Sequence, residues 1–404
     1  MNLENYYGVG SDLISAKNRI DALSATYKKG EGKDPQYIFS SSGRSEILGN
    51  HTDHNHGKVL VAAISCDVLA AVGKTDDDTV TVYSEGYSPI KVNLSDLSPK
   101  SVENGTSTAL VRGVANALKE KNQPIGGFTA YITSNVFKGA GVSSSAAFEV
   151  LIAEILNVLY LDGKLSPMDK AIVAQYAENV YFGKPCGLLD QSGIAIGSLT
   201  KLDFCIPTQP IIEKIGKIDG YTLVITNTGG DHAALTSHYA AIRSEMESVA
   251  AYFGKKVLRE VEESRFMDAI PELKNKFSGR AILRAIHFFE ENERVDTAAE
   301  AIKKGDYGAF LSAVERSGLS SLDKLQNCYV PGDVCQPVVL GIELSRSVIK
   351  DGAVRVHGGG FAGSILAIVS DGEVEEYERK MSAWFGPRNV FKARVRPFGA
   401  CEIK

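Results

Sequence analysis

Phosphoryl transfer needs a phosphate cradle, a magnesium ligand, a cation beside the moving group and a residue that orients the acceptor hydroxyl. Candidates for each lie scattered along the chain. Ser145 and Glu178 carry oxygen donors of the type magnesium takes. Arg44 could offset charge on the transferred group, and Asp190 could accept the proton of a hydroxyl. The cradle is the stretch Lys138 to Val150, Lys-Gly-Ala-Gly-Val-Ser-Ser-Ser-Ala-Ala-Phe-Glu-Val. Gly139 and Gly141 allow positive φ and close approach of backbone to a ligand. Ser143, Ser144 and Ser145 supply hydroxyls and N-cap chemistry. From Ala146 the pattern is helical, with Phe148, Leu151, Ile152, Ile155 and Leu159 at spacings of three and four. A glycine loop entering a helix N-terminus gathers unpaired N–H groups and the positive end of the dipole, an anion site suited to polyphosphate. It is neither a Walker A loop nor a G-x-G-x-x-G turn.

The elements that must position these residues are mixed. Residues 11–28 read as a surface helix, and Tyr37–Phe39 as a short strand. The stretch Ser42 to Gly57 is so rich in small, polar and ionisable residues that it suits a site better than a core. Strands are expected at 59–64, 79–83 and 128–133, and a helix over 105–120. Ser166 as N-cap, Pro167 at the first position and Asp169 at the third start a helix that carries Glu178 and stops at Gly183-Lys184-Pro185. The turn Cys186-Gly187 then delivers Asp190 and Gln191. Pro207, Pro210, Gly216 and Gly220 break the chain, and a strand at 221–226 and long helices at about 232–252 and 279–304 follow. A strand pair is expected around Gly358–Gly360. Strands and helices mix without βαβ regularity, which favours an α+β fold.

A chain of 404 residues is long for one core, so two domains are expected. The net charge of −5 lacks the basic surplus of a nucleic-acid binder. The N-terminus shows no signal-peptide pattern and no apolar run is long enough to span a bilayer, so no membrane association is expected. Six scattered cysteines without a C-x-x-C pair read as reduced thiols of a cytoplasmic protein. His51, His54 and His56 fit no standard zinc spacing.

Beyond chemistry by residue type, the loop resembles the phosphate loop of the GHMP small-molecule kinases, Gly-x-Gly-Leu/Val-Ser-Ser-Ser-Ala. Other stretches are similar to the galactokinases within that group. Gly43 through Gly57 looks like their signature Gly-Arg-x-Asn-x-x-Gly-Glu-His-Thr-Asp-Tyr-Asn-x-Gly. Residues 186–191 resemble their Cys-Gly-x-x-Asp-Gln segment, which makes Asp190 the catalytic aspartate. Glu178 falls where the family has its magnesium-binding glutamate. Gly358 to Gly363 is similar to Gly-x-Gly-Phe-Gly-Gly, and Asn227-Thr228 to Tyr239 resembles a segment whose tyrosine touches the sugar.

The resemblance implies a two-domain GHMP kinase fold, an N-terminal ribosomal S5 domain 2-like unit (1–210) and a C-terminal ferredoxin-like unit (211–404), with the site in the cleft between them. It implies transfer of phosphate from ATP, with Mg2+, to the anomeric hydroxyl of a sugar, galactose first. Catalysis would rest on Asp190 and Arg44. Sugar contacts would come from Asn50, His51, Thr52, Asp53, Asp190 and Tyr239. Nucleotide contacts would come from Ser84, Gly139, Ala140, Gly141, Val142, Ser143, Ser144 and Ser145, and metal contacts from Ser145 and Glu178. A monomer is expected. Glu46, Asn50 and His54 depart from the signature, where the family has Asn, Glu and Tyr. N-acetylgalactosamine, galacturonate and arabinose are alternative substrates, and a catalytically silent galactose sensor is the reading from another class. Ser143 to Ala147 is intact here, which favours the enzyme.

Overall fold

The computed structural model describes residues 3–136, 141–230 and 235–403. Within them the strands are β1 (Tyr37–Leu48), β2 (Lys58–Lys74), β3 (Thr79–Ser84), β4 (Ile90–Asn93), β5 (Phe128–Ser134) and β6 (Leu199–Asp203). There follow β7 (Ile211–Gly216), β8 (Tyr221–Gly229), β9 (Gly352–Val356), β10 (Gly363–Ser370), β11 (Val390–Ala393) and β12 (Cys401–Glu402). The first sheet has the order β12-β1-β2-β5-β3-β4, with β6 and then β7 branching from β2. Only β3 and β5 run parallel in it, among the described residues.

The apolar run 59–72 is the spine of this sheet. Expected as a strand ending at Ile64, it is instead one strand of 17 residues. Its two halves serve different neighbours: Lys58 to Ala62 pair with β6 and Val68 to Lys74 with β5. Asp67 sits at the changeover, fully buried, and accepts hydrogen bonds from Tyr7 Oη and Ser40 Oγ (both 2.5 Å) and Arg19 (2.8 Å). Those donors satisfy a carboxylate that would otherwise interrupt the strand.

The period of two along the strands divides the sheet's faces. Ala70, Val72, Val80, Val82 and Ala130 share a core with Val111, Val114, Leu118, Val150 and Leu151 of the Ser107–Glu120 and Ser144–Tyr160 helices. Leu69 and Ala71 face the other way, onto Leu23 and Tyr27 of the Ser11–Glu31 helix. The second sheet, order β11-β8-β10-β9, is antiparallel throughout. Numbered in chain order this is four-one-three-two, the ferredoxin-like arrangement, so the expected α+β architecture with a ferredoxin-like second sheet is present. The 1–210 and 211–404 division is retained as a proposal. β7 and β12 belong by sequence to the second unit and pair in the first sheet.

Two local expectations change. Ser42 to Leu48, expected to suit a site better than a core, is the end of β1 and almost entirely buried, because this half of the polar stretch forms a ladder with β2. The helix begun by Ser166 has the reciprocal capping box with Asp169, yet its α-helical part ends at Tyr176. Ala177–Phe182 continues as a π-helical turn and carries Glu178. Such wider turns recur where a helix re-aims a functional side chain.

Candidate active site

Gly43 opens the site. A Cβ there would lie 2.8 Å from Cys66 Sγ and 3.1 Å from the Val142 carbonyl, so only glycine lets β1 meet the end of the phosphate loop. The Arg44 amide donates to Val142 O at 3.2 Å, and the guanidinium donates through Nη1 to the Gly141 carbonyl. Its Nε and Nη2 both reach Asp190 Oδ1 at 2.7 Å. Two sequence-predicted residues 146 positions apart therefore form a forked ion pair.

Asp190 starts the Leu189–Ile196 helix, and its second oxygen accepts from Ser143 Oγ. Burial would raise its carboxyl. The charge and hydrogen bonds of Arg44, with Ser143 and Lys184, outweigh that and hold it below the ordinary carboxylate range. Ser143 stands in the left-handed region at φ 59°, before the Ser144–Tyr160 helix. Expected to cap that helix, Ser143 does not; its hydroxyl turns to Asp190 instead, and no side chain caps the first turn. That turn, holding Ser144 and Ser145, keeps its N–H groups for an anion. Gly139 and Ala140 lie outside the described residues; Gly141 has φ 68° and Val142 is buried.

Ser145 Oγ donates to Glu178 Oε1 at 3.0 Å, joining the two expected metal ligands. Lys184 Nζ reaches the same oxygen at 3.1 Å, and Gln191 Nε2 donates to Glu178 Oε2 at 2.8 Å. The Gln191 amide nitrogen also lies 3.2 Å from Glu149 Oε2. Sequence reasoning gave Glu149, Lys184 and Gln191 no role. The available signal for Glu149 was a carboxylate among the apolar residues of Ala146 to Ile155. Burial first, and then the charge of Glu178, push its carboxyl up to about 9.

The turn after β1 brings part of the expected sugar site together. Asp53 is half-buried, and burial first, then the charge of Asp190, raise its carboxyl to about 6. His51 is half-buried, with Nε2 2.9 Å from the Gly359 carbonyl. Two expected contacts are turned inward. Thr52 is buried, its hydroxyl within hydrogen-bonding distance of the carbonyls of Gly49 (2.9 Å) and Lys58 (2.7 Å), to one of which it donates, closing the turn. Asn50 is 1% exposed. Its Nδ2 donates to Glu46 Oε1 (2.9 Å) and Gly358 O (2.8 Å), and its Oδ1 accepts from Asn327 Nδ2 at 2.7 Å. Its amide is spent inside the protein, in a pair with Glu46, which in turn faces Arg355 at 3.3 Å. Among the described residues no cluster of three His, Cys, Asp or Glu side chains is placed to hold a metal.

Gly187 explains the glycine before Asp190. A Cβ there would fall 1.9 Å from Asp53 Oδ2, so any other residue drives Asp53 aside. Gly187→Ala is expected to weaken sugar binding about tenfold or more, the loss of a charged hydrogen bond, with the melting temperature little changed. Calorimetric titration with sugar checks this, and unaltered affinity would remove Asp53 from the site.

Tyr239 donates to the Gly360 carbonyl at 2.8 Å and packs edge-on against Phe361, so it buttresses the glycine turn between β9 and β10. A Cβ on Gly359 would lie 2.7 Å from Tyr239 Cε1, which is why that turn is bare of side chains. Ser84 ends β3 beside β5, the strand that leads into the phosphate loop. It borders a groove of about 950 Å³ with Tyr83, Tyr131 and Thr133.

Residues 25–74 match the galactokinase galactose-binding signature, and residues 109–198 match the GHMP kinases N terminal domain. The fold is similar to that of Lactococcus lactis galactokinase complexed with galactose, with TM-score 0.81 and 23% identity over 95% of this chain and 100% of that one. Methanococcus jannaschii mevalonate kinase aligns with TM-score 0.62 and 15% identity, covering 89% of this chain and 98% of that one. A D-glycero-D-manno-heptose 1-phosphate kinase from Bacteriodes thetaiotaomicron gives TM-score 0.60 and 15% identity, over 91% and 98%. At these identities the solved structures show the fold, and the two family models follow one another along its first half. The chain has the fold of these kinases and carries the galactokinase galactose-binding signature in residues 25–74 and the GHMP kinases N terminal domain in residues 109–198.

Proposed function

We propose that the protein transfers the γ-phosphoryl group of ATP to the anomeric hydroxyl of galactose. The observation that carries this reading is the Arg44–Asp190–Ser143 cluster, which joins the end of the phosphate loop to an ionised carboxylate beside Asp53. In this reading Asp53 and His51 hold sugar hydroxyls, and Asp190 accepts a hydrogen bond from the anomeric hydroxyl and takes its proton as the oxygen attacks phosphorus. Arg44 keeps Asp190 ionised and offsets charge on the phosphoryl oxygens as the bond to the leaving ADP breaks. The bare first turn of the Ser144–Tyr160 helix binds phosphate oxygens. Turnover against galactose, N-acetylgalactosamine, galacturonate and arabinose tests the assignment: galactose should give the highest kcat/KM. Sugar binding without any ATP consumption would favour a sensor instead.

The oxygen-only donor set of Ser145 and Glu178 fits magnesium. Ser145 and Glu178 would hold the ion, and the chemistry it would supply there is neutralisation of phosphate charge. Lys184 and Gln191 orient the Glu178 carboxylate toward Ser145. Glu178→Gln is expected to move the magnesium dependence of turnover about tenfold higher, consistent with loss of an ionised ligand, and to leave galactose affinity unchanged. A magnesium titration that overlays wild type would refute the ligand assignment. A cytoplasmic monomer is part of the same proposal. Among the described residues no helix is long and apolar enough to cross a membrane.

A further inference from the structure

We infer that His287 and Glu291, on the Gly279–Lys304 helix, are positioning residues that aim the sugar-binding turn. The inference rests on the galactose reading above. Both side chains are fully buried. His287 Nε2 lies 2.9 Å from the Asn50 carbonyl, and its Nδ1 lies 2.9 Å from Ser320 Oγ. A carbonyl only accepts, so Nε2 carries the proton and Nδ1 accepts from the serine hydroxyl. Burial pushes the ring down to about 4, which keeps this neutral form in place at neutral pH.

One helical turn on, Glu291 Oε1 accepts from the Gly49 amide at 2.9 Å, while Ser317 Oγ (2.5 Å) and Arg294 Nε (2.7 Å) fill its remaining positions. The next residue, Asn292, accepts from the Lys58 amide at 2.6 Å. One helix face therefore holds the backbone at both ends of the turn that carries His51 and Asp53. The turn has little freedom to adjust. Gly49 has φ 100°, and a Cβ there would meet the Lys58 carbonyl at 2.6 Å. Apolar packing would join helix and turn without the desolvation cost of a buried histidine and carboxylate. What the polar pair adds is direction, and the groups it directs face the sugar.

The test compares His287→Asn, whose amide reaches only as far as Nδ1, with His287→Gln, whose amide reaches as far as Nε2 and can donate to the Asn50 carbonyl. Galactose KM, ATP KM, kcat and calorimetric galactose affinity are measured with melting temperature. His287→Asn should raise galactose KM and Kd about 3- to 10-fold, the loss of one buried hydrogen bond. ATP KM and kcat should stay within about twofold, and His287→Gln should recover most of the loss. Equal effects of the two variants, or galactose and ATP KM rising together, overturn the inference. If His287→Asn does not fold, Ser320→Ala leaves the ring but releases Nδ1. It should raise galactose KM about 2- to 5-fold without a change in ATP KM, and an unchanged galactose KM overturns the inference. Wild-type protein that neither binds nor turns over galactose would instead overturn the functional reading.

Discussion

Asp190→Asn is expected to lower turnover about 10²- to 10⁴-fold, the usual worth of a positioned proton acceptor. The amide keeps the shape of the carboxylate, its oxygen still accepts from Arg44, and its nitrogen faces Ser143 Oγ, which then turns from donor to acceptor. It cannot take a proton from the anomeric hydroxyl. Nucleotide affinity should stay near wild type, because among the described residues the side chain meets the end of the phosphate loop through Ser143 and Arg44. Arg44 is 7% exposed and would lose its ionic partner, so some stability should go with the charge. Melting and ATP binding, measured beside turnover, separate that cost from catalysis. A variant retaining a third of wild-type turnover would remove Asp190 from the reaction.

Arg44→Met should cost about 10³-fold or beyond, the range seen when an arginine is withdrawn from a transferring phosphoryl group. Arg44→Lys should recover little, since an ammonium cannot reach Asp190 and the Gly141 carbonyl as a fork. The pH profile carries a second signature. Asp190 must be ionised, and Arg44 holds its carboxyl below the usual range, so wild-type activity persists as pH falls toward that lowered value. Without the guanidinium the same carboxyl, raised by burial, protonates at higher pH. The acid limb of the residual activity should therefore move upward, and an unmoved limb would show that the ion pair does not set the state of Asp190.

The groups proposed to react are legible because each is bound to a local backbone pattern. Glycines before a run of serines mark the phosphate loop, and Cys186-Gly187 fixes the approach to Asp190. The Gly279–Lys304 helix matches its sequence-derived limits, and the capping box at Ser166 forms as read. What failed was the inside of the signature. Asn50 and Thr52 share a stretch with His51 and Asp53, and nothing local says which side chains turn outward. The answer lies with partners far along the chain: Asn327 lies 277 residues from Asn50, and Gly358 lies 308. The same limit hid His287 and Glu291, which look like ordinary polar residues of an amphipathic helix until the turn is packed against them. The polar stretch around Arg44 suits a site by composition, yet half of it is buried strand. Its serines and glycine are buried by pairing with β2, and that pairing depends on a strand whose length was underestimated.

The most direct test follows the phosphate to its acceptor atom. Galactose labelled with carbon-13 at C1 is incubated with the protein, ATP and magnesium and observed by NMR. The account predicts galactose-dependent ADP formation, a C1 signal that gains coupling to phosphorus at the same rate, and loss of both in Asp190→Asn. ATP consumption indifferent to galactose, or phosphorus coupling at a carbon other than C1, would contradict it.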